Sequence, residues 1–213
     1  MKIKYINTAG QITAVITSKI DNKELAIISK IIMQKSPEVD QVGYLQKDSF
    51  KMMGGELSIN GLLAAAILVK GSTKINGLNF IVKQNIVSLT FPSSLIIKVN
   101  NKSKIVALKG ITYQVISGLS ANEKVSNKNK LYLKKLSLRS PASGLIYCQD
   151  NQIQPLIYVK ATNSYIWERA CGSGSLAYSL VTGNRVVVQP AGSTISFKIT
   201  KDIITVTTTV KEI

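Results

Sequence analysis

A chain of 213 residues with 45% hydrophobic content suits one large domain or two small ones around a buried core. It has no histidine, which removes the commonest general base and metal ligand, and its two cysteines, Cys148 and Cys171, are too few for a disulfide framework. The net charge of +16 is mostly lysine, with arginine only at Arg139, Arg169 and Arg185, and it is scattered apart from a cluster at Lys124, Lys128, Lys130, Lys134, Lys135 and Arg139. That pattern reads as a solvated surface before a nucleic-acid face. No apolar run reaches the length of a membrane span, and the first residues lack the apolar stretch and cleavage site of a signal peptide, so a cytoplasmic protein is expected.

Short β-branched segments with turns between them dominate the chain. Strands are expected at 3–6, 12–17, 79–82, 86–90, 95–99, 111–116, 157–160, 185–188, 194–200 and 203–210, and the run Leu145-Ile146-Tyr147-Cys148 is strand-like. A first helix is expected over 22–35, capped by Asp21 with Glu24 three residues on, lined by Leu25, Ile28 and Ile32, and stopped by Pro37. Others are expected at 60–68, within 122–136, and at 172–180.

Three short matches recur in the same order in both halves. Gly10 to Ile16 reads GQITAVI and Gly110 to Ile116 reads GITYQVI. Ser58 to Leu68 reads SINGLLAAAIL and Cys171 to Val181 reads CGSGSLAYSLV. The stretches after Pro92 and Pro190 end in IKV and FKI. The repeat predicts an α+β fold of two pseudo-symmetric halves, 1–104 and 105–213, with the last strand able to return to the first half. Each half is a curved, mostly antiparallel sheet around a central helix rich in small residues, and the two helix starts face each other across a cleft.

Cys171-Gly172-Ser173-Gly174 opens the last helix. Free N–H groups there favour an anion, lower a thiol's pKa and can hold a carboxylate. The plainer reading of Cys171 is a small buried apolar residue. Cys148 reads as core. Tyr113 reads as a packed strand residue, with ligand contact as the alternative, and Glu56 as a turn residue or a contact for a substrate amine. Asn60 and Ser173 occupy matching positions and read as helix caps or ligand contacts.

Trp167-Glu168-Arg169-Ala170-Cys171-Gly172-Ser173-Gly174 resembles the second catalytic motif of the diaminopimelate epimerase-like superfamily. Met53-Gly54-Gly55-Glu56-Leu57-Ser58-Ile59-Asn60-Gly61 resembles its first motif, Thr8 to Ala14 its N-terminal substrate loop, and Gln189-Pro190-Ala191-Gly192 its late Gly-rich turn. The spelling Gly-Gly-Glu and the stretch from Pro155 to Cys171 look most like the histidine racemases of opine-type metallophore pathways.

The resemblance implies an isomerase that works without cofactor or metal on a free amino acid such as histidine, with two thiols on opposite faces of the α-carbon, and it carries dimerisation as an expectation. Here Ser58 stands at the first cysteine, a far poorer base than a thiol. Thr162 and Asn163 stand where diaminopimelate epimerases carry a Glu-Arg pair, and Glu168-Arg169 lie too near Cys171 to be that pair. The implied catalytic residues are Cys171 and Ser58. The implied substrate contacts are Gln11, Glu56, Asn60, Gly61, Asn163, Gly172 and Ser173. Three alternatives stay open: a weakened paralogue that binds an amino acid or a protein partner, a dehydratase variant, and a basic nucleic-acid binder.

Overall fold

The computed structural model describes residues 1–21, 24–69, 71–120 and 124–213. Residues 22 and 122, the outer limits expected for two helices, lie outside them. The chain opens with β1 (Ile3–Thr8), β2 (Gln11–Ile16), α1 (Leu25–Lys35), β3 (Gln41–Gln46), β4 (Ser49–Met52), α2 (Ile59–Ala66), β5 (Lys74–Ile75), β6 (Leu78–Lys83), β7 (Ile86–Pro92) and β8 (Ile96–Asn100). It continues with β9 (Ile105–Leu108), β10 (Ile111–Ser117), α3 (Asn127–Leu136), β11 (Ala142–Gln149), β12 (Gln152–Val159), β13 (Ser164–Trp167), α4 (Gly172–Thr182), β14 (Val186–Val188), β15 (Thr194–Ile199) and β16 (Ile203–Glu212).

The two halves repeat one topology. β1 and β2 form an antiparallel hairpin, α1 crosses over to β3 parallel to β2, and β4 folds back on β3. β9, β10, α3, β11 and β12 do the same in the same order. Each hairpin turn carries a left-handed glycine, Gly10 (φ 99°) or Gly110 (φ 87°), a conformation that a Cβ would strain. The last strand ties the halves together: β16 pairs with β7 along most of its length, with β1 at its end and with β15 on its other edge.

α2 and α4 are the central helices. Every residue of α2 is buried, and Ala64, Ala65 and Ala66 let the surrounding strands come close. α1 starts at Leu25 with Glu24 at the cap position and no side-chain cap bond, so the cap lies three residues beyond the expected Asp21. α3 lays Leu133 against Leu145, Leu156 and Tyr158, while its lysines and Arg139 are exposed. The strand expectations missed β5, β9 and β13, and also β3 and β4. The residues of β3 and β4 include Gln41, Gly43, Gln46, Ser49 and Lys51, poor strand formers that pairing and burial of alternate side chains hold extended.

Candidate functional site

The starts of α2 and α4 meet at the centre of the molecule. A Cβ on Gly172 would come within 2.7 Å of Asn60 Oδ1 and 2.8 Å of Ile59, so only glycine allows this approach. Each hairpin turn also reaches across to the opposite half. A Cβ on Gly10 would meet Ala191 at 2.2 Å, and one on Gly110 would meet Leu57 N at 3.1 Å. Between these parts lies a closed pocket lined by Gln11, Asp40, Gln41, Glu56, Ser58, Tyr113, Glu168, Cys171, Gly172 and Ser173, among others. Its cavity of about 20 Å³ has room for about one water. The segment Glu56-Leu57-Ser58 also walls a neighbouring cavity of about 360 Å³ bounded by Phe50, Leu62, Leu78 and Leu95.

The two helix caps use the same geometry with different atoms. Ser58 Oγ accepts from Gly61 N at 3.0 Å, and Cys171 Sγ accepts from Gly174 N at 3.3 Å. Ser58 also donates to Gln41 Oε1 at 2.8 Å, so its proton is committed to an amide. Cys171 is held at its backbone by Gln189, whose Oε1 accepts the Cys171 N–H at 2.9 Å while its Nε2 donates to Ser175 Oγ. The amides of Gly172 and Ser173 have no acceptor among the described residues.

Around the thiol stands a set of titratable groups. Tyr113 Oη lies 3.8 Å from Cys171 Sγ and shares a 2.6 Å hydrogen bond with Ser173 Oγ. The Tyr113 ring fits because Gly144, its partner in register on β11, leaves room: a Cβ there would lie 2.5 Å from the ring. Burial lifts the Glu168 carboxyl to about 8, helped by the charges of Asp40 and Glu56 and opposed by Cys171 and Gln11. Gln11 is close enough to favour the charged carboxylate, yet neither of its amide atoms nor Glu168 Oε2 completes a hydrogen bond. Asn60 donates to Ala170 O at 3.3 Å but leaves Oδ1 unpartnered. Such orphaned buried groups are rare in a folded core and leave polar atoms in the pocket able to bond a ligand.

Burial pushes the Cys171 thiol well above its usual value, and the Glu168 charge adds to the rise, against the lowering from Gly174 N–H. A helix start by itself favours a thiolate. In the closed pocket desolvation and the adjacent carboxylate outweigh the helix-end amides, and the thiol stays protonated. Asp40 is raised by burial, with Ile12 N–H and Arg169 pulling the other way. Arg169 bridges from the edge of α4 to Asp40 at 3.3 Å and to the Glu38 carbonyl, a cross-link between the halves.

Of the expected site residues, Gln11, Glu56, Ser58, Cys171, Gly172 and Ser173 line the pocket. Asn60 and Gly61 sit behind it in the first turn of α2, and the Gly61 amide is taken by Ser58. Asn163 is not brought to the pocket. It is exposed in the turn between β12 and β13 with φ 49° and accepts from Tyr158 Oη, while Val159 and Ile166 of the same hairpin line the pocket. Three pocket residues escape the sequence reading: Glu168 lies too near Cys171 to match the family's Glu-Arg pair, and Gln41 and Asp40 belong to no motif. A lone glutamate between Trp167 and Arg169 just before a cysteine is the available signal for Glu168. Among the described residues no group of three or more His, Cys, Asp or Glu side chains could hold a metal ion, and no helix is long and apolar enough to cross a membrane.

The family described as "Histidine racemase CntK N-terminal domain" matches residues 82–208. A histidine racemase of Fusobacterium nucleatum is 26% identical, with 81% of this chain and 77% of that protein covered. A predicted epimerase from Pseudomonas aeruginosa has the same fold at a TM-score of 0.63 and 13% identity, over 99% of this chain and 96% of the other. A phenazine biosynthesis PhzF-family protein from Enterococcus faecalis gives 0.58 at 14% identity, over 99% and 95%. A probable proline racemase from Agrobacterium radiobacter, with bound carbonate, gives 0.57 at 13% identity, over 99% and 90%.

Proposed function

The chain belongs to the histidine racemase CntK N-terminal domain family, and from that premise we propose that it is an isomerase that moves the α-proton of a free amino acid, histidine being the first candidate. One observation carries the reading: a thiol and a glutamate are paired at the start of α4, inside a pocket where the buried amide of Gln11 has no partner. A thiol and a carboxylate within reach of one another can pass a proton at near-neutral pH once a ligand supplies countercharge. The free amides of Gly172 and Ser173 suit a substrate carboxylate, and Gln11 can hydrogen-bond either end of an amino acid.

An amino acid does not fit a cavity of about 20 Å³, so in this reading the wall Glu56-Leu57-Ser58 yields toward the larger neighbouring cavity when substrate enters. The division of the chain near residue 104 is part of the same proposal, because the second copy of the hairpin and crossover begins at β9. The test is chiral chromatography of single-enantiomer amino acids, histidine first, incubated with wild type and Cys171→Ala. The opposite enantiomer forming with wild type and not with Cys171→Ala supports the reading. Ligand binding without inversion or α-hydrogen exchange for any amino acid would instead favour a binding protein, the second reading that Ser58 at the first motif keeps alive.

A further inference from the structure

Building on the isomerase reading, we propose that Glu56, rather than Ser58, is the group that exchanges the α-proton on the face of the pocket opposite Cys171. Ser58 is poorly placed to do so. Its O–H donates to Gln41 and its lone pair receives the Gly61 amide, so removing its proton would break one bond and leave a strongly basic alkoxide. Gln41 is an amide and has no useful basicity. Asp40 is bound on one side by Ile12 N–H and on the other by Arg169.

Glu56 meets the requirements that these neighbours fail. It stands two residues before Ser58, is 9% exposed and lines the same pocket. Its Oε2 accepts the Gly54 N–H at 2.9 Å, and the turn at Gly110 packs against the backbone of its loop, contacts that hold it at the pocket until the wall yields to substrate. Burial raises its proton affinity. Its charge is felt by Glu168, which places the two carboxylates on a common cavity, one beside each helix start. The two helix starts differ in their cap, serine against cysteine, and each has a carboxylate beside it.

The step balances without any further reactant. The Glu56 carboxylate takes the α-proton: the C–H bond breaks, an O–H bond forms, and the electron pair spreads from the α-carbon into the substrate carboxylate. The Cys171 S–H then breaks and its proton forms the new C–H bond on the opposite face. This leaves a thiolate and a protonated Glu56, the form from which the opposite enantiomer starts.

The experiment follows α-deuterium incorporation in D2O separately for the two enantiomers of the amino acid that wild type exchanges. Glu56→Gln is expected to slow exchange of one enantiomer by at least about a hundredfold and the other much less, with Cys171→Ala showing the reverse preference. Equal slowing of both enantiomers by Glu56→Gln would make Glu56 a binding residue and overturn the inference, as would no slowing. If Glu56→Gln does not fold by thermal melt, Glu56→Asp must show the same one-sided loss, and a symmetric result overturns the inference there too. Wild type that exchanges no amino acid overturns the isomerase reading itself and the inference with it. Wild-type exchange with a symmetric variant overturns the inference alone.

Discussion

The starts of α2 and α4 are the same structure built twice with different chemistry. Both caps receive the amide three residues on, both sit where a hairpin turn from the other half presses in, and both have a glutamate just upstream. At α2 the cap is an alcohol whose proton is tied to Gln41. At α4 it is a thiol packed against Glu168 and Tyr113. The two starts therefore share backbone geometry without sharing acid–base chemistry. In the proposed reading each side supplies one proton-transfer group, Cys171 at α4 and Glu56 beside α2.

The largest expected effect sets the two caps against each other. Cys171→Ala should slow inversion of the amino acid by about a thousandfold or more, whereas Ser58→Ala should cost about tenfold or less. Comparable losses from both variants would restore Ser58 to the chemistry and break the asymmetry.

The next effect is on stability. Glu168 has a folded-state value of about 8, above its ordinary value, so folding favours its protonated form. The stability it contributes is fully present below about pH 4.5 and is lost as the pH rises through about 8. Denaturant unfolding of wild type should thus weaken between pH 5 and pH 9 by on the order of 3–5 kcal/mol more than that of Glu168→Gln. Parallel pH profiles would mean that Glu168 is not held as a buried acid.

Gly172→Ala sharpens the point where the two starts touch. Its Cβ would press on Asn60 and Ile59, and about 1–3 kcal/mol of stability should be lost in chemical unfolding. Neutral behaviour would show that the two helix starts can part easily. Ser58→Ala should show the smallest effect, a loss of about 1 kcal/mol from the missing helix cap, read from the midpoint of the same unfolding curve.

Much of this arrangement is legible in the residues. The repeat sets Gly10 beside Gly110 and Ser58 beside Cys171, and both pairs fall at equivalent points of the two halves. Periodicity finds the central helices because their small apolar residues are unusual in so strand-rich a chain. It misses β3 and β4, whose extension comes from pairing with β2 and with each other. Glu168 and Asp40 are hidden for a related reason: their importance comes from burial against partners far away in sequence, as with Arg169 and Asp40. The sign of the Cys171 shift is also beyond local reasoning. A helix start predicts a lowered thiol pKa, and only the closed pocket and Glu168 reverse it. Asn163 stands in the stretch where the family's Glu-Arg pair would lie, and the turn between β12 and β13 leaves it exposed.

The cleft between the two helix starts is expected to work on the α-carbon of an amino acid, and proton NMR of L-histidine with wild-type protein in D2O tests this most directly. The predicted result is that the α-hydrogen resonance disappears over time while the ring resonances stay at the level of a protein-free control, and that with Cys171→Ala no D-histidine accumulates. An α-hydrogen signal that persists for histidine and for every other amino acid bound by the protein would contradict it.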